Sequence, residues 1–222
     1  MIRKGLILAF TSLGLAGCGV GGTHYDLVIE GGRVIDPESG LDGLRTIGVL
    51  AGEIAAITET SLEGDRVINA MGLVVVPGFI DLHEHGQEEE SYRMMVRDGV
   101  TTALELEVGT ADVEEWYAER EGGQLVNHGV SIGHIPVRMD VLDDPGDFLP
   151  AGSGGSGTAT PDQLDEIERG IREGIVQGAV AVGFGSAYTP GATMEEIERM
   201  FGVAGERAIS AHIHMRNGLA GL

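Results

Sequence analysis

PGFIDLHEHG, the stretch from Pro77 to Gly86, separates two parts of the chain that differ in the periodicity of their apolar residues. Before it, from Tyr25 to Val76, short apolar runs alternate with turn residues at the spacing of about 8–12 residues that is typical of small all-β folds. After it, apolar strands alternate with helical stretches. We therefore predict a small β-sandwich domain over residues 25–78 and an α/β domain over residues 79–222.

Five apolar strands are predicted in the α/β part. They cover residues 79–83, 100–108, 130–138, 179–184 and 208–216, and helices are predicted over residues 88–98, 111–121, 160–177 and 194–207. Near-continuous apolar strands of this kind predict a parallel sheet covered on its faces by helices. A complete (β/α)₈ barrel needs about 250 residues. We therefore predict a partial TIM-like barrel containing strands 1–5, with the C-terminal part of the barrel expected beyond residue 222.

A doubly wound sheet of five strands is the alternative architecture. It would carry a Gly-rich nucleotide loop after its first strand, where this sequence has His83-Glu84-His85 instead. Residues 151–160 consist only of Gly, Ser, Thr and Ala. This composition predicts a flexible surface loop within the barrel part, because the strand–helix rhythm resumes after it.

Acidic residues dominate the charge of the chain. There are 35 Asp and Glu residues against 14 Lys and Arg residues, which gives a formal net charge of −21. Proteins bind nucleic acids and anionic membrane surfaces through clustered basic residues. We therefore expect no nucleic-acid partner and no direct binding to an anionic membrane surface.

The N-terminus resembles a bacterial lipoprotein signal. A basic start at Arg3 and Lys4 precedes an apolar run from Gly5 to Gly17, and small residues precede Cys18, the single cysteine. We expect residues 1–17 to be removed, a lipid on the Cys18 sulfur, and residues 18–24 to act as a tether. The protein would then face the periplasm or the exterior and contact the membrane only through its lipid anchor. The alternative is a plain secretory signal or membrane anchor with an incidental cysteine.

Three predicted strands each carry two His or two Glu residues at positions i and i+2. The pairs are His83/His85, Glu105/Glu107 and His212/His214. Residues at i and i+2 share one face of a strand, and polar pairs facing the helical layer would be buried without partners. We therefore expect all three pairs to point into the barrel and to bind Zn²⁺ or another divalent metal, as one or two ions.

The periodicity leaves open which member of the second and third pairs binds the metal. Active sites lie at the C-terminal ends of barrel strands, which favours Glu107 over Glu105 and His214 over His212. The two deeper residues are then expected to support the ligands. Glu84 points away from the histidines beside it and is expected to make a structural contact.

Several segments resemble a known family. PGFIDLHEHG, followed by Gly-Val-Thr-Thr at residues 99–102, resembles the amidohydrolase superfamily of metal hydrolases. Later segments resemble its D-aminoacylase (N-acyl-D-amino-acid deacylase) branch: Gly133-His134 with Arg138, Tyr188-Thr189-Pro190-Gly191, and His214-Met215-Arg216. The resemblance covers residues 25 to about 218, and the His-x-His segment is its most specific part.

The resemblance implies particular metal ligands. His83, His85 and His214 match metal-binding histidines of the family, which supports the choice of His214. The branch has a cysteine ligand on the second strand, and Glu107 is the nearest candidate in this sequence. Many superfamily members bridge two metals with a carboxylated lysine, whereas the single lysine here, Lys4, precedes the expected cleavage site. A bridging carboxylate must therefore come from Asp or Glu.

The resemblance also implies substrate contacts. His134 and Arg138 match positions that line the site, and Tyr188 matches a tyrosine that contacts substrate. Arg138 or Arg216 is expected to hold a substrate carboxylate through paired N–H donors.

These features predict a metal-dependent hydrolase of linear amide bonds, an N-acyl-D-amino-acid deacylase with N-acyl-D-glutamate among its candidate substrates. A metal-activated water would attack the amide carbon. The family takes a further His from strand six and a general-base Asp from strand eight. Both are expected beyond residue 222, so we expect this chain to be the front part of a longer enzyme and inactive alone. The alternatives are a cyclic-amide or dipeptide hydrolase of the same superfamily, or a non-catalytic binding lipoprotein of the cell envelope.

We predict that mature protein from the membrane fraction begins at a lipid-modified Cys18, because the basic start, the apolar run and the small residues agree. Mass spectrometry of the N-terminal peptide measures this directly. Recovery of an unmodified chain that begins at Met1 would contradict the prediction.

Overall fold

The computed structural model describes residues 22–216, and the predicted signal segment and Cys18 lie outside these residues. The chain divides after Pro77 into two compact units. In the described part of the chain, no helix has the length and apolar character needed to cross a lipid bilayer.

The first unit is a mixed β-sheet. Its strands are β1 (His24–Asp36), β2 (Leu41–Leu50), β3 (Glu53–Thr58), β4 (Glu63–Asn69) and β5 (Val74–Val75). The order is β3-β2-β1-β4, with β5 also paired to β1. Strand β2 is antiparallel to β1 and β3, whereas β4 and β5 run parallel to β1. The predicted β domain is therefore present, as one five-stranded sheet instead of two facing sheets.

The second unit alternates strands and helices. It contains β6 (Phe79–Asp81), α1 (Glu89–Arg97), β7 (Val100–Thr110), α2 (Val113–Ala118), β8 (Asn127–Gly133), α3 (His134–Val141), α4 (Ser153–Ser156), α5 (Pro161–Val176), β9 (Ala181–Gly185), α6 (Met194–Glu206) and β10 (Ser210–His214). The sheet order is β10-β9-β8-β7-β6, and every neighbouring pair is parallel.

This strand order identifies the architecture. Each strand pairs with the next strand along the chain, as in a (β/α) barrel, whereas the strand order of a doubly wound sheet reverses direction at a switch point. The predicted partial barrel of five parallel strands is confirmed, and the doubly wound alternative is wrong.

Local sequence signals start three of the helices. Asp112, Thr160 and Thr193 each accept a hydrogen bond from the backbone N–H three residues later, at the N-termini of α2, α5 and α6. Helix α5 also has a complete capping box, with the Gln163 side chain accepting from the Thr160 N–H, and proline at its first position. These side chains satisfy N–H groups that a helix leaves unpaired at its start.

Helices α5 and α6 cover the sheet with an apolar face. Ile167 and Ile171 of α5 and Met200 of α6 are wholly buried, and all five residues of β9 are buried. A strand covered on both faces needs apolar residues at every position. This explains why the fourth strand reads as a continuous apolar run in the sequence.

The third strand is shorter than predicted. Strand β8 ends at Gly133, and residues 134–141 form helix α3, where the sequence pattern predicted a strand to residue 138. A Cβ atom on Gly133 would lie 1.8 Å from the Val108 carbonyl oxygen, so the chain passes β7 too closely for any other residue. Pro136, in the first turn of α3, favours a helix start. His134 and Arg138 therefore project from a helix and do not share a strand face.

The prediction of a flexible loop at residues 151–160 is wrong. Residues 153–156 form the short helix α4, and Gly154 and Gly155 are buried. The Asp144 carboxylate accepts hydrogen bonds from the backbone N–H groups of Gly146, Ala151, Gly152 and Gly154 at 2.6–2.9 Å. Burial raises the pKa of Asp144, but these four hydrogen bonds outweigh it and hold the pKa below its usual value.

Two helical glycines give a matched test of the α5 packing. A Cβ on Gly174 would lie 2.4–2.7 Å from side-chain atoms of the buried Ile132, whereas a Cβ on Gly202 in α6 meets nothing within 4 Å. We predict that Gly174→Ala lowers the free energy of unfolding by about 1–3 kcal/mol through overpacking. We predict that Gly202→Ala raises it by about 0.5–1 kcal/mol through helix propensity. Urea unfolding of both variants measures the effects, and equal effects would contradict this account of the packing.

Candidate metal centre

The first two histidines follow β6 and remain beside β7. The Glu84 N–H donates to the Leu104 carbonyl at 3.2 Å, and His83 forms an isolated β-bridge with Glu105. The His83 N–H also donates to the Asp81 carboxylate at 3.0 Å. These contacts hold the His-x-His segment next to the strand that carries both glutamates.

The Glu107 carboxylate lies between histidines from opposite edges of the sheet. Its Oε2 is 2.8 Å from His83 Nε2 and 3.6 Å from His85 Nε2, and its Oε1 is 2.8 Å from His214 Nδ1. The Glu107 side chain is 6% exposed, against 61% for His83 and 44% for His214. A buried carboxylate therefore presents one oxygen to each side of the cluster, where it could hold a metal together with these histidines.

Curvature of the sheet makes this contact possible. Strands β8 and β9 separate β10 from β7, and neighbouring strands lie about 4.8 Å apart. In a flat sheet, His214 and Glu107 would be on strands about 14 Å apart. Their 2.8 Å contact shows that the sheet curls and that the two side chains point to its concave face.

The donor set suits a divalent metal. His83 Nε2, His85 Nε2 and a Glu107 oxygen converge, and candidate ligand atoms of these three residues all lie within 4.8 Å of one another. Imidazole nitrogens with a carboxylate oxygen form a common set of Zn²⁺ ligands. Among the residues that the structure describes, only histidines form ion pairs with Glu105 and Glu107. A bound cation would therefore supply the charge that compensates the two buried carboxylates.

Glu105 contacts the other side of the His85 ring. Its Oε2 is hydrogen-bonded to His85 Nδ1, and its Oε1 accepts from the N–H groups of Val108 and Gly109 at 3.1 and 3.3 Å. Gly109 has a φ of 68°, which favours glycine and lets the chain turn back towards this carboxylate. A carboxylate at Nδ1 directs the free Nε2 of an imidazole towards a metal. The two glutamates thus have different positions, with Glu107 among the metal-facing atoms and Glu105 behind His85.

The two histidines of β10 also differ. His214 reaches Glu107, whereas His212 Nε2 lies 3.0 Å from Ser210 Oγ on its own strand. The structure therefore brings together the four predicted ligands His83, His85, Glu107 and His214. It places His212 outside their hydrogen-bonded network. In the described structure, His212 therefore contacts none of the four predicted ligands through a hydrogen bond.

Tyr188 stands beside His214. Its hydroxyl is 3.4 Å from His214 Nδ1, and the two rings meet edge to face with centroids 5.0 Å apart. A cavity of about 370 Å³ opens next to this pair, lined by His83, Glu107, Ile213, His214 and Met215. Tyr188 therefore presents a hydroxyl at the edge of the cluster, in agreement with a position near substrate.

His134 and Arg138 are not at the metal cluster. Both side chains are wholly buried, and both donate to Glu196 Oε1 at 2.8 Å. Burial raises the pKa of Glu196, but the hydrogen bonds and charges of His134 and Arg138 outweigh it and hold the pKa below its usual value. The described structure does not bring these two residues to the cluster, because the Glu196 carboxylate binds them inside the protein, and their contact with substrate stays a prediction.

Arg216 is also occupied by protein groups. Its guanidinium donates to the carbonyl oxygens of Ser186 and Thr189 at 3.2 and 3.0 Å, and to that of Ala192. These carbonyls belong to the loop that carries Tyr188. Both guanidinium groups bind the protein itself in this structure, and the expectation that one of them holds a substrate carboxylate stays a prediction.

The contacts of three further residues were not predicted from the sequence. Glu196 carries no sequence signal beyond its place in the first turn of α6, where acidic residues are common. Asp144 precedes a Pro-Gly pair, which indicates a turn but not the four N–H groups that it binds. Phe148 lies with its ring edge against His85, at a centroid distance of 5.4 Å, and nothing in its local sequence indicates this contact.

Known proteins are similar to this chain in sequence. The N-acyl-D-glutamate deacylase of Alcaligenes xylosoxydans xylosoxydans is 27% identical over 226 residues, which cover 86% of this chain and 44% of the relative. The D-aminoacylase of the same organism is 27% identical over 234 residues, covering 87% and 45%. No protein-family profile matches the chain.

A solved structure supports the same relationship. N-acyl-D-glutamate deacylase from Bordetella bronchiseptica, complexed with zinc and a phosphonate inhibitor, matches with a TM-score of 0.74 and 26% identity over 88% of this chain and 46% of that one. The homologues and structural neighbours of this protein are deacylases of the amidohydrolase superfamily. The resemblance to this superfamily, predicted from the His-x-His segment, is confirmed by these relatives. The chain spans about half the length of the curated relatives that it matches.

Shorter matches reach other amidohydrolases. A dihydroorotase of Anaeromyxobacter sp. (strain K) is 42% identical over 81 residues, which is 35% of this chain and 19% of that protein. This similarity covers too little of the chain to favour cyclic amides over linear ones.

We predict that Glu107→Gln abolishes tight zinc binding, because the amide replaces a charged ligand oxygen. We predict that Glu105→Gln weakens zinc binding by about 10–100-fold, because it loosens a contact behind a ligand without removing one. Competition with a zinc chelator measures both affinities in the purified protein.

Glu90→Gln is the matched control, since Glu90 is exposed on α1 and its loss removes the same charge away from the cluster. Zinc affinity that stays unchanged in Glu107→Gln would contradict the role of Glu107 as a ligand. Equal losses in the Glu105 and Glu107 variants would contradict the difference between the two carboxylates.

Proposed function

We propose that the intact protein is a metal-dependent hydrolase that cleaves the linear amide bond of N-acyl-D-amino acids. One observation carries the proposal: the two oxygens of Glu107 face His83 and His85 on one side and His214 on the other. This arrangement supports a carboxylate ligand shared by the two sets of histidines, in a chain whose relatives are named N-acyl-D-glutamate deacylase and D-aminoacylase.

Each described residue has a distinct task in this proposal. His83, His85 and Glu107 would hold a metal, and His214 with the second Glu107 oxygen would hold a second one if two ions bind. A bound Zn²⁺ would lower the pKa of a coordinated water to about 7 and polarise the amide carbonyl. Glu105 fixes the orientation of His85, which keeps the Nε2 atom of that ring directed at the metal position.

Tyr188 is the best placed of the predicted substrate contacts. Its hydroxyl lies at the edge of the cluster, and Arg216 holds the surrounding loop through three carbonyl oxygens. We propose that this hydroxyl donates a hydrogen bond to the substrate. The chain spans under half the length of its relatives, and we propose that the general-base Asp and a further His ligand lie beyond residue 222.

The cell envelope is the proposed location. The basic start, the apolar run and the small residues before Cys18 support a lipid anchor on that cysteine. The net charge of −21 supports an attachment through the lipid alone, because an acidic surface is repelled by anionic headgroups.

We predict that the intact protein from its natural source, loaded with zinc, releases free amino acid from N-acetyl-D-glutamate, N-acetyl-D-leucine or N-acetyl-D-methionine. The L-enantiomers serve as matched controls, and dihydroorotate and a hydantoin represent the cyclic-amide alternative. Amine release is measured by chiral chromatography, and Glu107→Gln should reduce it at least a hundredfold together with its zinc content.

Hydrolysis of the cyclic amides in preference to the D-amino acid derivatives would replace this proposal with the cyclic-amide alternative. Zinc binding without turnover of any of these compounds would favour a non-catalytic binding protein of the envelope.

A further inference from the structure

The segment between α3 and α5 is held in place from two sides. On one side, the Asp144 carboxylate accepts four backbone N–H groups from residues 146–154. On the other side, the wholly buried Arg138 donates to the carbonyl oxygens of Ser153, Gly154 and Gly157. Glu196 compensates the charge of Arg138, so a buried ion pair anchors one side of the segment.

This anchoring fixes the position of two neighbouring apolar residues. Leu149 packs against the buried cluster of Val108, Ile135 and Met139. Phe148, the residue before it, turns its ring edge to His85, with ring centroids 5.4 Å apart and ring planes at 76°. A residue from the connection after the third strand thus contacts a metal ligand that follows the first strand.

Phe148 remains exposed although hydrogen bonds anchor the chain on both sides of it. The residue is 51% exposed, whereas Gly154 and Gly155 further along the segment are buried. An aromatic ring that is fixed in position and still open to solvent is a preformed apolar surface, and such surfaces occur where ligands bind.

We propose that Phe148 forms the surface against which the acyl group of the substrate packs. The proposal rests on the proposed function, and it adds the feature that distinguishes one acyl group from another. In amide hydrolysis the carbon that is attacked belongs to the acyl group, so the substituent on this carbon lies within two or three bonds of the metal position. Phe148 is an apolar side chain whose ring edge faces His85, and the acyl substituent is the uncharged part of an N-acyl-D-amino acid.

The carboxylate end of the substrate fits this surface poorly. The ring offers no hydrogen-bond donor, and the nearby side chains of Glu105 and Glu107 are acidic. A second negative charge beside them would be repelled. The apolar ring and the acidic neighbours therefore both favour an aliphatic acyl chain at this position.

Simple carboxylates test the proposal without turnover, because they are the acyl products of deacylation. Formate, acetate, butanoate and hexanoate are titrated into the zinc-loaded intact protein, and their dissociation constants are measured by calorimetry. We expect the affinity to rise by about twofold per methylene beyond acetate, since a half-exposed ring covers one side of the chain. In Phe148→Ala the four carboxylates should bind with nearly equal affinity, whereas Phe148→Tyr should keep the rise.

Phe79→Ala is the matched control. Phe79 is the other similarly exposed phenylalanine in the described part of this unit, at 59%, and it lies at the opposite end of β6 from the histidines. It should leave both the zinc affinity and the chain-length dependence unchanged. Zinc affinity should also be the same in Phe148→Ala as in the unmodified protein, because the ring contacts a ligand without binding metal.

The outcomes separate this proposal from the proposed function. A chain-length dependence that persists in Phe148→Ala, or that is missing from the unmodified protein, would overturn the acyl surface. A tenfold loss of zinc affinity in Phe148→Ala would also overturn it, since the ring would then support His85 and not the ligand. If the dependence follows Phe148 while no N-acyl-D-amino acid is hydrolysed, the acyl surface stands and the proposed reaction fails.

Discussion

The burial of the Glu107 carboxylate is the constraint on which the α/β unit depends. An ionised carboxylate loses several kcal/mol of hydration free energy when it is buried, and it needs compensating partners. Its partners are imidazoles from both edges of the described sheet, so the sheet must curl until β6 and β10 approach β7 on one face. Fold and site therefore depend on each other, because a flatter sheet would leave the carboxylate without His214.

Both glutamates of β7 are buried, and their surroundings separate their roles. One oxygen of Glu105 accepts hydrogen bonds from two backbone N–H groups, and the other contacts His85. Within the described residues, the ion-pair partners of Glu107 are imidazole groups, which a metal can replace as partners. In the proposed centre, the same residue type at positions i and i+2 thus supplies one ligand and one group that orients a ligand.

Local pattern predicted the parallel sheet and the convergence of His83, His85, Glu107 and His214, because strand parity follows from backbone geometry. Pattern could not predict the surroundings of His134 and Arg138. Their partner Glu196 lies 62 and 58 residues further along the chain, and its carboxylate binds both side chains inside the protein. The ordered conformation of residues 151–160 was not predicted, for the same reason. The composition of this segment indicates flexibility, whereas its conformation is set by the distant Asp144 and Arg138 side chains.

The carboxylate at the centre of the cluster is encoded directly in the sequence. A carboxylated lysine forms only when carbon dioxide adds to an amine, and it can be lost again when carbon dioxide is scarce. None of the five described barrel strands carries a lysine, and Glu107 occupies the position between the histidines. In the proposed centre, the bridging group is therefore present as soon as the chain folds, and assembly would depend on the supply of metal and not on dissolved carbon dioxide.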